Sequence, residues 1–192
     1  MPLEGDLVIL REERRDDLDF VRAMRNDLAT QAWSKTLPPD YTEPMYTKRF
    51  EAREFSYDPR EGRFVIIHKD TGQRAGYISY TELERRFATT IGIIVARAFW
   101  GTGVALDAQE ILLRFLFQEL GVRVVRLWTH SGNPRAAELA KKSGFQLSAR
   151  TRQAIFKGGR LHDNLILDLL REEYFAQHPE MEDHLPALVL ET

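Results

Sequence analysis

The stretch Ile91-Gly-Ile-Ile-Val-Ala-Arg-Ala-Phe-Trp-Gly-Thr-Gly-Val-Ala-Leu-Asp-Ala108 decides how this chain is read. An apolar, β-branched run enters a glycine turn, and the turn opens directly into a helical pattern. Gly101 and Gly103 can take backbone angles closed to other residues, so a ligand can come close to the main chain. Thr102 keeps the turn polar. From Val104 to Leu120, residues Ala105, Ala108, Leu112, Phe115, Leu116 and Leu120 recur at helical spacing. The first N–H groups of such a helix lack intrahelical acceptors and, with the helix dipole, favour an anion such as phosphate at the turn. One dipole contact contributes only about 0.3–1 kcal/mol, so several N–H groups must converge. An isolated G-x-G also serves simply to turn a strand into a helix, and on these residues alone both uses stay open. The dinucleotide fingerprint G-x-G-x-x-G is excluded by Leu106 at its third glycine, and no G-x-x-x-x-G-K-[ST] phosphate loop occurs.

Composition narrows the classes further. A chain of 192 residues suits one domain, long enough to bury about 70% of its unfolded surface. Its 43% hydrophobic content is that of a globular protein. A net charge of −2 gives no bulk attraction for nucleic acid or an anionic membrane, so neither is expected as a partner. Without cysteine there is no disulfide, thiolate nucleophile or Cys-ligated metal. No signal peptide or apolar run of about 18 residues is read, and a cytoplasmic protein is expected. The histidines at 68, 130, 162, 178 and 184 form no pair at ligand spacing, so no metal is expected.

Outward from the turn, the pattern predicts a first strand at Leu7–Leu10 and an amphipathic helix over about 15–29, on Leu18, Val21, Met24 and Leu28. Residues 33–40, with Pro38-Pro39, read as a loop, and a second helix starts at Thr42-Glu-Pro and ends near Phe55. Strands at 63–68, 75–83 and 89–95 form an antiparallel meander. After the helix at 104–120 come a strand at 124–128, a short helix opened by Asn133 or Pro134 and closed by Ser143-Gly144, and a final hairpin around Lys157-Gly-Gly-Arg160. The domain is expected to span 1–175, with 176–192 as a mobile C-terminal tail. The apolar segment Leu185-Pro-Ala-Leu-Val-Leu190 hints at a homodimer.

The order β-α-α-β-β-β-α-β-α-β-β resembles the GNAT superfamily of acyl-CoA-dependent N-acyltransferases, from Leu7 to about Phe175. Three motifs carry the resemblance: Phe99-Trp-Gly-Thr-Gly-Val-Ala105; Asn133 with Lys142-Ser-Gly-Phe145; and Arg152, Gly158-Gly-Arg-Leu-His-Asp163 and Leu170-Arg-Glu-Glu-Tyr174. The last two are similar to the ribosomal-protein N-terminal acetyltransferases, with spermidine acetyltransferases as cousins. The resemblance implies a mixed α/β (α+β) single domain whose central, mostly antiparallel sheet is flanked by helices and splayed at the acyl-CoA site. Acetyl-CoA would be the acyl donor. The main chain of Ile93, Ile94 and Val95 would run beside its pantetheine arm, and the N–H groups of Trp100, Gly101, Thr102, Gly103, Val104 and Ala105 would hold its pyrophosphate. Asn133 would contact the arm, or serve as a helix N-cap with Pro134 at the first helical position, or both. A main-chain N–H near Val95 would stabilise the oxyanion, an effect worth about 3–4 kcal/mol where one such donor has been removed. Trp100 and Trp128 read as packing residues.

Departures from the family pattern bear on the acceptor half of the reaction. Where many relatives place a glutamate base this chain has Thr90, beside Thr89; where many place a tyrosine acid it has Ala140; and Ala136 and Ala98 replace a serine and a basic residue, with Arg97 adjacent. An amine of pKa near 10.4 costs about 4.6 kcal/mol to deprotonate at pH 7, one near 7.8 only about 1 kcal/mol. The expected reaction is therefore direct attack by a low-pKa primary amine, a peptide or protein N-terminus or a small amine, with proximity supplying most of the acceleration. Glu82 and His130 are the candidate bases, and Tyr80 a candidate acid or a packed ring. A catalytically weak acyl-CoA-binding domain, a self-associating domain and a polyamine acetyltransferase are the alternatives. The acceptor loops are expected at 30–60 and 84–88; within the first, segment 33–50 offers only Asp40 and Glu43 against Lys35, Lys48 and Arg49, a poor polycation trap.

Overall fold

The computed structural model describes residues 3–31, 42–54 and 60–184. The loop expected at 33–40, with Lys35 and Asp40, and the segment 185–190 lie outside them. Eight strands form one sheet in the order β1-β2-β3-β4-β5-β6-β8-β7, where β1 is Leu3–Glu4, β2 Val8–Glu12, β3 Gly62–His68, β4 Arg74–Glu84, β5 Ala88–Val95, β6 Val124–His130, β7 Gln146–Lys157 and β8 Arg160–Leu170. Every neighbouring pair is antiparallel except β5 with β6. The helices are α1 (Leu18–Asn26), α2 (Leu28–Gln31), α3 (Glu43–Glu54), α4 (Val104–Arg114), α5 (Pro134–Lys142) and α6 (Arg171–Gln177). The expected mixed sheet with flanking helices is what the chain forms.

Alternation along the strands divides the core. Ile78, Ile91 and Leu127 point to the α4 side and pack with Val104, Ala108, Leu112 and Leu116. Tyr77 points to the opposite face, where Val21 and Met24 of α1 and Tyr46 of α3 cover it. The helix expected at 15–29 breaks in two. Asp27 takes an extended conformation, with ψ at 109°, and its carboxylate accepts hydrogen bonds from the N–H groups of Ala29 and Thr30. A side chain that caps a new helix at this point stops the old one.

The helix expected at 104–120 is α-helical to Arg114 and continues as a π-turn over Phe115–Glu119. Helical structure also runs past the expected domain end, through α6 and a 3₁₀ segment at Pro179–His184. Apolar burial holds it there: Tyr174 is 2% exposed and stacks on Phe117 at 4.8 Å, and Met181 packs against the same core.

The β1–β2 turn is fastened to α4 by Asp107, whose carboxylate accepts from the main-chain N–H groups of Asp6, Leu7 and Val8 at 3.1, 2.8 and 2.9 Å. Asp107→Ala should lower unfolding stability by about 2 kcal/mol, the scale of hydrogen bonds to a charged group, measured by urea titration. An unchanged midpoint would show that water replaces the carboxylate at no cost.

Candidate functional site

The parallel pair β5–β6 holds register only from Ala88↔Val124 to Ile91↔Leu127. Beyond it, β5 stays paired with β4 as far as Val95 and β6 stays paired with β8 as far as His130, so their inner edges part. This is the splay expected between 91–95 and 124–128, and it opens after Leu127. The N–H of Ala96 donates to the Ala75 carbonyl, which by antiparallel alternation turns the main-chain groups of Ile93 and Val95 away from β4 and into the opening. Ile94 faces β4 with its main chain, so it lies beside the opening without offering its peptide groups.

A cleft of about 930 Å³ fills the splay. Of the residues that the resemblance assigned to the donor, Ile93, Ile94, Val95, Trp100, Gly101, Gly103, Ala105 and Asn133 line it, and Thr102 and the fully buried Val104 do not. Gly101 and Gly103 have φ of 78° and 90°, the left-handed region that favours glycine. Gly103 is the N-cap of α4 and brings no side chain to cap it, leaving the helix's leading N–H groups for a ligand. The Trp100 N–H donates to the Arg97 carbonyl at 3.2 Å and is already engaged within the turn. Thr102 turns its hydroxyl inward to the Phe99 carbonyl.

Trp100 packs, as its sequence context suggested. Its indole N–H donates to the Val95 carbonyl at 2.8 Å, and the Arg135 guanidinium lies 4.4 Å from the ring centroid. Trp128 differs: it is 45% exposed at the cleft wall, because the splay removes the neighbour that would have covered it. Asn133 is an N-cap, its Oδ1 accepting from the Ala136 N–H at 3.2 Å with Pro134 following, while the residue still lines the cleft. Ala140 is fully buried.

On the acceptor face, Tyr77, Ser79 and Thr81 of β4 pair with Ile94, Gly92 and Thr90 of β5. The register shifts between Thr81 and Glu84, one extra residue on β4, and Glu82 adopts a φ of 55°. Regular alternation would send Glu82 to the α4 face; the bulge re-aims it. The Thr90 hydroxyl donates to the Glu82 carboxylate at 3.2 Å, which holds that carboxylate beside position 90, outside the residues that line the cleft. His130 lies elsewhere, 2% exposed at the end of β6, its ring 5.1 Å from that of His162. Tyr80 packs in an aromatic group with Phe64 and Phe115, at 6.5 and 6.4 Å.

Sequence reasoning missed Arg25, Gln109 and Thr129, which also line the cleft. Arg25 lies over the Tyr77 ring at 5.4 Å. Its place on α1 carried no motif, and only the packing of α1 across the sheet brings it to the site. Lys157 at the hairpin turn donates to the Gln31 carbonyl at 3.1 Å, tying β7–β8 to α2, and burial pulls its ammonium below the usual lysine range.

A splayed parallel pair with a glycine-turned helix N-terminus at its mouth defines an acyltransferase that takes its acyl group from a CoA thioester. The chain belongs to the GNAT acetyltransferase family, whose domain matches residues 8–146, and is an acetyl-CoA-dependent N-acetyltransferase. It is 23% identical over 175 residues to the spermidine N(1)-acetyltransferase of Escherichia coli, covering 89% of this chain and 90% of that protein. A Bacillus subtilis protein described as a candidate ribosomal N-acetyltransferase is 27% identical over 104 residues, 54% of this chain and 57% of its own. Spermidine N-acetyltransferase from Vibrio cholerae, solved with CoA and spermine, superposes with a TM-score of 0.80 at 22% identity, covering 88% of this chain and 98% of its own.

Proposed function

We propose that this enzyme acetylates a low-pKa primary amine, a peptide or protein N-terminus or a small amine, by direct attack. The observation that carries the reading is the charge of the cleft. Among the described residues that line it, Arg25, Arg135 and Lys142 stand against one carboxylate, Glu138. A polycation gains little from such a wall, whereas an α-amine brings a single charge and loses its proton at low cost. The relatives named for spermidine keep polyamines as the second reading.

The main-chain groups of Ile93 and Val95 and the N–H groups from Gly101 to Ala105 hold the donor, with Val95 N–H placed for the thioester oxygen. Glu82, held by Thr90, takes the proton as the amine attacks; His130, sealed against His162, contributes less. Glu82→Gln should lower kcat about 10²-fold, the lower end of general-base effects, with KM for acetyl-CoA unchanged. The check is thiol release over a panel of peptides, small amines, spermidine and spermine. Spermidine as the best substrate by kcat/KM would overturn the acceptor assignment. A Glu82→Gln, His130→Asn double variant with unaltered rate and pH profile would remove both bases. The proposed setting is cytoplasmic and homodimeric, the latter checked by light scattering. No helix among the described residues is long and apolar enough to cross a membrane.

A further inference from the structure

Gln109 sits in the wrong surroundings for a structural polar residue. It is 1% exposed on α4, it lines the cleft, and its Nε2 has no hydrogen-bond partner among the described residues. Leu106, Leu127 and Leu139, which line the same cleft, are apolar. Leaving a buried donor unmade costs free energy that an apolar residue of the same shape would spare, so a merely packed position gains nothing from glutamine.

The depth of Gln109 says what it meets. Five residues beyond Val104, it lies about 7.5 Å along the helix axis from the anion cradle. An acyl-pantetheine arm that starts at the cradle and follows the open edge of β5 passes this level. That arm presents amide and thioester carbonyl oxygens, all of them hydrogen-bond acceptors. Thr129, 4% exposed on β6, lines the same cleft.

We infer that Gln109 is a donor-side positioning residue of this chain, its amide N–H fixing the depth of the acyl-pantetheine arm by donating to one of the arm's carbonyl oxygens. The inference rests on acyl-CoA occupying the cleft. It assigns to α4 a contact made by a side chain, in a site otherwise built of main chain. Because no described residue pairs with that N–H, stability and affinity are expected to respond in opposite directions when it is removed.

The experiment compares wild type with Gln109→Met, close in volume but without a donor, by thermal unfolding without ligand and by calorimetric titration with CoA and with acetyl-CoA. The expected result is an unfolding midpoint equal to or above that of wild type, with the dissociation constant raised about tenfold. An equal rise for both ligands places the bond on a pantetheine amide; a rise for acetyl-CoA alone places it on the thioester carbonyl. Unchanged affinity for both overturns the inference. If Gln109→Met loses stability and affinity together, Gln109→Leu decides, since it too removes the donor and adds no charge: weakened binding at an unfolding midpoint no lower than wild type upholds the inference, and wild-type binding, or a weakening that again tracks lost stability, overturns it. Failure of the wild type to bind either ligand would strike at acyl-CoA occupancy itself, a result distinct from unchanged binding in the variants.

Discussion

Gly103→Val is expected to weaken acetyl-CoA binding at least 100-fold while leaving a folded protein. Position 103 has φ 90° and ψ −17°, where a β-branched residue is strained by about 1–3 kcal/mol, and an added Cβ would stand 3.1 Å from the Leu7 side chain. The larger loss is in the ligand. In the proposed donor site the helix's leading N–H groups would converge on one anion, and shifting the turn would break several charge-assisted hydrogen bonds at once, each contributing about 1.5–3 kcal/mol. Two such losses exceed the roughly 2.7 kcal/mol that a 100-fold change represents. Ligand at 100 times its dissociation constant stabilises wild type by about 2.7 kcal/mol; after a 100-fold loss the same concentration stabilises by about 0.4 kcal/mol. Gly72→Val is the control, because Gly72 also has positive φ, 65°, with open space around it and no place in the cleft. Both variants should lose intrinsic stability, but only Gly103→Val should lose the stabilisation by ligand. If it kept the full ligand shift, the pyrophosphate would not sit at this turn.

Asp17→Ala is expected to cost about 3–5 kcal/mol, the scale for breaking a buried ion pair by removing one partner. The Asp17 side chain is fully buried, yet it accepts from Arg11 at 2.7 and 2.9 Å, from Arg74 at 2.6 Å and from the Arg14 N–H at 2.8 Å. Burial by itself would raise its pKa, but the hydrogen bonds from Arg11, Arg14 and Arg74 outweigh it and hold the carboxyl at about 2, against 3.8 for the unfolded chain. The depressed folded value fixes the sign. The contribution, about 2.4 kcal/mol, is fully present above pH 4 and is lost as pH falls from about 4 towards 2. Urea midpoints across pH 2–6 should therefore drop steeply below pH 4 in wild type and more shallowly in Asp17→Asn. Parallel curves would mean that the cluster does not titrate as a unit with folding. Asp17 joins β2, the start of α1 and β4, so its loss loosens the sheet edge that carries the acceptor-side helices.

The donor half of the site was legible in the chain because its determinants are local. A positive-φ glycine, a helix start and an apolar strand are properties of adjacent residues, and Ile91–Ala108 contains all three. Asn133-Pro134 likewise announced its own cap. The acceptor half depends on contacts between residues distant in sequence. Thr90 alone departs from the family pattern; that the Glu82 carboxylate stands beside it follows only from a one-residue register shift that reverses the side to which Glu82 points. Trp128 read as core because a strand between two strands is covered on both sides, and it is exposed because one of those neighbours diverges.

The sequence by itself determined the strand-turn-helix, the order of elements and the N-acyltransferase class, since periodicity and turn chemistry act over a few residues. Only the packing of distant segments set where β5 and β6 part, that Glu82 stands beside Thr90, that Arg25 lines the cleft from α1, and that the buried Gln109 amide nitrogen has no partner among the described residues. Each of these is set by pairing register or by packing across the sheet, where the free energy belongs to two or more distant segments and is written in neither of them.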